Sequence, residues 1–179
     1  RTHSFGWIAE DAVETARQQV ANLINCLDQE IVFTSGATEA INLALKGVWD
    51  NYQIKGKHII TAKTEHKAVL DTCSALEKKG AKITYLDVDR EGIIDLDGLK
   101  KALNAQTIVV AIMYANNETG VLQPISEIAN LVHANNSILF CDATQAVGKI
   151  NIDVQDEHID IMCLSAHKFY GPKGVGALF

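Results

Sequence analysis

A lysine that directly follows a histidine at the end of an apolar run is an odd way to leave a strand. Residues 160–174 read DIMCLSAHKFYGPKG, and a plain turn would be served by Gly, Pro, Asn and Asp alone. Lys168 brings a primary amine, which in its neutral form condenses with carbonyl compounds to a Schiff base. Four other apolar runs also end in groups able to do chemistry. Gly36-Ala37-Thr38 follows EIVFTS, and His66 follows KHIITAKTE. Asn116-Asn117 follows TIVVAIMYA, and Asp142, with Gln145 three residues on, follows SILFC.

Each segment taken alone has an ordinary reading beside the chemical one. Gly36 lets a ligand approach the backbone, and Thr38 stands by the first N–H groups of a helix, a natural phosphate seat. Thr38 or Ser35 could equally cap that helix. His66 could lie face-on to a planar ligand or be a lone surface histidine. The asparagines offer amide donors, although asparagine also makes turns unaided. Asp142 is costly directly after a buried strand unless paired; it could cap a helix or hold a cationic ring nitrogen. Together the groups match pyridoxal phosphate. That cofactor takes a phosphate anchor, a Schiff-base lysine, an acid that keeps the pyridine nitrogen protonated and a ring across its face.

The elements that must carry these groups alternate along the chain. Helical periodicity covers 8–26, about 37–52, 66–79 and 96–103, and Pro124 opens a helix within PISEIANLVHAN. Strands are expected at EIVFTS, 57–62, 81–88, 107–115, 137–142 and 160–165, followed by a hairpin-like FYGPKGVGALF. Several strands are apolar on both faces, which suits a sheet covered by helices on both sides. The expected fold is α/β, a three-layer sandwich with a mostly parallel central sheet. No linker or low-complexity tract divides it, so residues 1–179 read as a single domain. Ligands of such sheets bind beyond the carboxyl ends of the strands, where the reactive groups fall.

Composition narrows the function. With 22 acidic and 16 basic residues the formal charge is −6, which disfavours direct contact with nucleic acid or an anionic membrane. No apolar stretch approaches the roughly 20 residues of a membrane span. The four cysteines, at 26, 73, 141 and 163, form no CxxC pair and no zinc spacing. Cys141 and Cys163 lie in apolar runs and read as small buried hydrophobes. A reducing, cytoplasmic location is expected. The chain starts without Met and stops at Phe179 within an apolar run, so a fragment of a longer protein is expected.

TSGATEAINLALKG, KTEHKAVLDTC, NNETGVLQPI, CDATQAVGKI and SAHKFYGPKGVGALF resemble, in order and spacing, the cysteine desulfurases of the NifS/IscS type within the class-V aminotransferases. The resemblance covers essentially all 179 residues. It implies the large, pyridoxal-phosphate-binding domain of a fold-type-I aminotransferase, in a homodimer. Lys168 would be the Schiff-base lysine and proton shuttle. Asp142 would pair with the pyridine nitrogen, and Gln145 and Asn117 would hold the phenolic edge. His66 would stack on the ring and assist proton transfer, so that Lys168 and His66 are the catalytic pair. Ala37, Thr38, Ser165 and His167 would hold the phosphate. Ala166 stands where the family usually has glycine.

The resemblance further implies an enzyme that takes L-cysteine to L-alanine and passes sulfur, as a persulfide, to an acceptor such as an iron–sulfur scaffold or a tRNA-thiolation protein. The sulfur-taking cysteine belongs on a mobile loop far downstream of Lys168, and the arginine for the substrate carboxylate also lies downstream. Neither falls within these 179 residues, so the chain alone is expected to be inactive. Another class-V enzyme (a selenocysteine lyase or a transaminase) and a non-catalytic truncated interaction partner are the alternative readings.

Overall fold

A computed structural model describes residues 3–179, with Phe5 by its backbone alone. The elements run α1 (Ser4–Ile24), β1 (Val32–Thr34), α2 (Ala37–Tyr52), β2 (His58–Ala62), α3 (Lys67–Glu77), β3 (Lys82–Leu86), α4 (Leu96–Ala102), β4 (Thr107–Met113), α5 (Ile125–Ala134), β5 (Ile138–Asp142), β6 (Ile161–Ser165) and β7 (Gly176–Leu178). Among the described residues the seven strands form one sheet in the order β1-β7-β6-β5-β4-β2-β3. Only β7 runs against its neighbours, pairing antiparallel with both β1 and β6. The sheet is therefore mostly parallel, as the doubly apolar strands require.

Strand alternation sorts the core into two layers. On one side Ile60, Val110, Ile112, Leu139 and Cys141 pack against α1, α4 and α5. On the other, Ile59, Val109, Ala111, Phe140 and Cys163 pack against α2 and α3. Helix α2 buries Ala40, Ile41, Ala44, Leu45, Val48 and Trp49, a pattern repeating every four residues that forms one stripe along its length. Leu45 is fully buried there, and truncating it to Ala would cost about 2–5 kcal/mol. β4 is buried at all seven positions, which is why its sequence shows no polar alternation.

Three local expectations shift. Pro124 stands at the N-cap of α5 rather than in its first turn, where its carbonyl still accepts the Ile128 N–H at 3.0 Å. His66 is likewise the N-cap of α3, its Nδ1 accepting from the Ala68 N–H at 3.1 Å. The stretch 169–179 holds only one strand; the hairpin forms between β6 and β7, across the loop that carries Lys168.

Candidate functional site

The five strands β1, β2, β4, β5 and β6 point the same way, so their carboxyl ends share one edge of the sheet. At that edge lies a cavity of about 510 Å³, within the range of small-ligand sites. Ala37, Thr38, His66, Asn117, Asp142, Gln145, Ser165, His167 and Lys168 all line it. Residues far apart in the chain meet there because parallel strands bring every strand-to-helix turn to one side.

The β1–α2 turn leaves the start of its helix open to the cavity. Gly36 is the N-cap of α2, at φ 152° and ψ 178°, and no side chain caps the helix. The capping alternative for Thr38 and Ser35 therefore fails; Ser35 instead gives both its N–H and its hydroxyl to Glu39 at 2.6 Å. These bonds hold the Glu39 carboxyl below its usual range. Such a backbone conformation is close to glycine-only. On β7, a Cβ at Gly176 would lie 2.6 Å from Gly36 Cα and 2.7 Å from the Leu164 carbonyl oxygen, so only glycine lets β7 pass beside the turn. The Ser165 hydroxyl completes this corner and lies 3.0 Å from His167 Nδ1.

Asparagines 116 and 117 divide their duties. Asn116 makes the turn: Oδ1 accepts from the Glu118 and Thr119 N–H groups, and Nδ2 donates to the Thr64 carbonyl at 3.2 Å. Asn117, free of hydrogen bonds to the other described residues, is the one that lines the cavity. Lys168 sits in a single 3-10 turn, Ala166–Lys168, and its amine has no partner among the described residues. Ala166 finds room because Gly171 faces it; a Cβ there would come within 2.8 Å of the Ala166 Cβ.

Asp142 ends β5 almost fully buried, at 5% exposure. Its Oδ1 accepts from the Thr144 N–H at 3.0 Å and from the Cys163 thiol at 3.3 Å. Cys163 is therefore more than the apolar filler expected from its run. Oδ2 has no partner among the described residues. Gln145 Oε1 accepts from Lys149 Nζ at 2.8 Å. His66 Nδ1 is already an acceptor, which places the proton of a neutral ring on Nε2.

Sequence reasoning passed over Glu39, Met113, Thr144 and Lys173, which also line the cavity, and read Ser35 there only as a cap. It also missed Glu65, which precedes His66 in the chain and is buried at 6% exposure. The signal for Glu65 was present, since it is a carboxylate three residues after the end of the apolar run KHIITA and directly before His66. Burial pushes its carboxyl well above the usual range; the Met113 N–H pulls it back in part, and the Asp142 charge adds to the rise.

The family model described as aminotransferase class-V matches residues 1–179. Cysteine desulfurase IscS of Haemophilus influenzae (strain PittGG) is 58% identical over 179 residues, covering all of this chain and 44% of that protein. IscS of Colwellia psychrerythraea is also 58% identical, with the same coverage. Among solved structures, a NifS-like protein superposes with a TM-score of 0.97 at 40% identity, over all of this chain and 50% of that one. SspA in complex with cysteine gives 0.96 at 40% identity, over all of this chain and 52% of that one. The chain thus spans less than half the length of these curated relatives.

Proposed function

We infer that this chain, which belongs to the class-V aminotransferase family, is the cofactor-holding part of a cysteine desulfurase that acts on L-cysteine as a cytoplasmic homodimer. The observation that carries the reading is the single cavity into which amine, acid, amide, imidazole and uncapped helix start converge. Pyridoxal phosphate, the cofactor of this family, supplies an electron sink when bound.

The residues fit that group. The free N–H groups at the start of α2, with Thr38, Ser165 and His167, would hold a phosphate. The unused Oδ2 of Asp142 would hold a proton on the pyridine nitrogen, while Gln145 and Asn117 would face the phenolic edge. His66 would cover the ring. The unpartnered Lys168 amine would hold the cofactor's carbonyl end and would be the group that moves a proton at the substrate carbon. Sulfur would leave to a cysteine in the remainder of the protein, since Cys73, Cys141 and Cys163 are all buried and their thiols are held protonated by burial. The acceptor beyond that cysteine would be a scaffold for iron–sulfur assembly or a tRNA-thiolation protein.

Borohydride trapping tests the reading. The protein mixed with pyridoxal phosphate should turn yellow, and reduction should fix the cofactor on Lys168, with no fixation in Lys168→Ala. A colourless protein, or a label on Lys173, would overturn it. Product analysis of the full-length protein with L-cysteine should give alanine; a keto acid, or turnover of selenocysteine alone, would favour the other class-V reactions.

A further inference from the structure

Cys163 differs from the other three cysteines in what it touches. It is fully buried, yet its Sγ lies 3.3 Å from Asp142 Oδ1. The two residues are paired directly in the register of β5 and β6. The contact is therefore set by the sheet, on one face of two neighbouring strands, and not by a loop. Thr144 supports the same corner: its N–H donates to Asp142 Oδ1 at 3.0 Å, and its hydroxyl lies 4.0 Å from Cys163 Sγ.

An ionised carboxylate only accepts, and a thiol is a weak donor. Burial first, then the Asp142 charge and the hydrogen bond itself, push the Cys163 thiol well above the ordinary range, so it keeps the proton it donates. Two donors on Oδ1 pin the carboxylate against rotation about its Cβ–Cγ bond. Oδ2 makes no hydrogen bond to any described residue, and Asp142 lines the cavity. Cys141 is the natural control. It precedes Asp142 in the chain and is equally buried, but it packs into the opposite layer with α5, while Cys163 packs with α2 and α3.

We propose that Cys163 is a positioning residue for Asp142: its S–H holds Oδ1 and leaves Oδ2 presented to the ring nitrogen of pyridoxal phosphate. Only the last clause rests on the proposed function; the bond between thiol and carboxylate stands without it.

Two measurements separate those parts. In cofactor-free protein, the infrared S–H stretch of Cys163, isolated by difference against Cys163→Ser, should move to higher frequency in Asp142→Ala. A band that does not move overturns the bond. In the loaded protein, Cys163→Val removes the donor and adds about a methyl's worth of bulk, an addition that Cys141→Val matches, and the Kd for pyridoxal phosphate should rise roughly two- to tenfold, the equivalent of one modest hydrogen bond. Cys163→Ser should recover most of that loss, and Cys141→Val should leave the Kd unchanged. An unchanged Kd in Cys163→Val, or an equal loss in Cys141→Val, overturns the positioning role and leaves packing as the cause. If Cys163→Val fails to fold, Cys163→Ala is read the same way. Wild-type protein that binds no pyridoxal phosphate overturns the cofactor clause, and the infrared result still decides the bond.

Discussion

Glu65 Oε1 accepts a 2.7 Å hydrogen bond from the backbone N–H of Met113, so a side chain takes over where the ladder between β2 and β4 runs out after Thr61 and Ala111. Met113 is paired in turn with Asp142 on β5. A row of residues thus crosses the top of the sheet from Glu65 through Met113 and Asp142 to Cys163. It ties the turn that carries His66 to the strand that carries the site acid.

The buried Glu65 carboxyl makes stability depend on pH. Its folded-state pKa lies well above the ordinary 4.5, and its Oε2 is buried without a partner among the described residues. Below that ordinary value both folded and unfolded chains keep the proton, and no stability is lost. Above it only the unfolded chain releases the proton, so folding weakens as pH rises toward the folded-state pKa. Glu65→Gln should therefore gain stability over the wild type with increasing pH, by at most about 1.4 kcal/mol per pH unit. Urea denaturation from mildly acidic to neutral pH measures this; a difference that stays flat with pH would show that Glu65 is ionised in the fold.

His58 sets the opposite dependence. It is buried at the far end of β2, 2.8 Å from the hydroxyls of Thr107 and Thr84, and burial first, then Lys82, holds its pKa below 6.5. The stability tied to its neutral form is present above that value and is lost as pH falls beneath it, because the unfolded chain takes up the proton first. His58→Asn should flatten that acid limb in thermal melts. An acid limb as steep as that of the wild type would assign it to other groups.

Asn116 and Asn117 should separate structure from ligand binding. Asn116→Ala removes the acceptor of two turn N–H groups and the tie to Thr64, and should cost about 1–3 kcal/mol of stability. Asn117→Ala should leave the melting temperature within a degree or so of the wild type, while weakening pyridoxal phosphate binding. Melting curves with and without cofactor distinguish the two; equal loss of stability would refute the division.

Gly176→Ala should disturb the β1–α2 turn, the proposed phosphate seat, from a distance. Its Cβ would meet backbone atoms of Gly36 and Leu164, which have no flexible end to swing away. A destabilisation of about 1–3 kcal/mol is expected, together with weaker phosphate binding as the turn shifts. Isothermal titration with pyridoxal phosphate reads the second effect, and affinity equal to wild type would show that the turn is not displaced.

Residues 1–179 expressed alone should release no sulfide from L-cysteine. The thiols of Cys73, Cys141 and Cys163 are buried, and burial and nearby Glu30 and Asp28 push Cys26 up to about 11, leaving no reactive thiolate near neutral pH. Sustained sulfide release by the purified chain would contradict this.

Much of the architecture was legible because its signals are local. The doubly apolar run TIVVAIM requires cover on both faces, and β4 has it at every position. The stripe of α2 likewise announces a one-sided helix. Boundaries were less legible where one residue serves two roles. Pro124 and His66 both cap a helix that the pattern would have them begin, because a cap residue already contributes its carbonyl to the first helical bond.

Residue type and order by themselves determined the α/β class, the strand-end position of Lys168, Asp142, His66 and Asn117, and the resemblance to a family of known chemistry. Only the tertiary structure decided which groups share one cavity, that α2 begins uncapped, and which of two adjacent asparagines faces that cavity. It alone revealed that Glu65 and Cys163 stand behind the site acid. The reason is physical: periodicity is written within one strand or helix, whereas the partner of a side chain is set by register between strands distant in the chain, here β2, β4, β5 and β6.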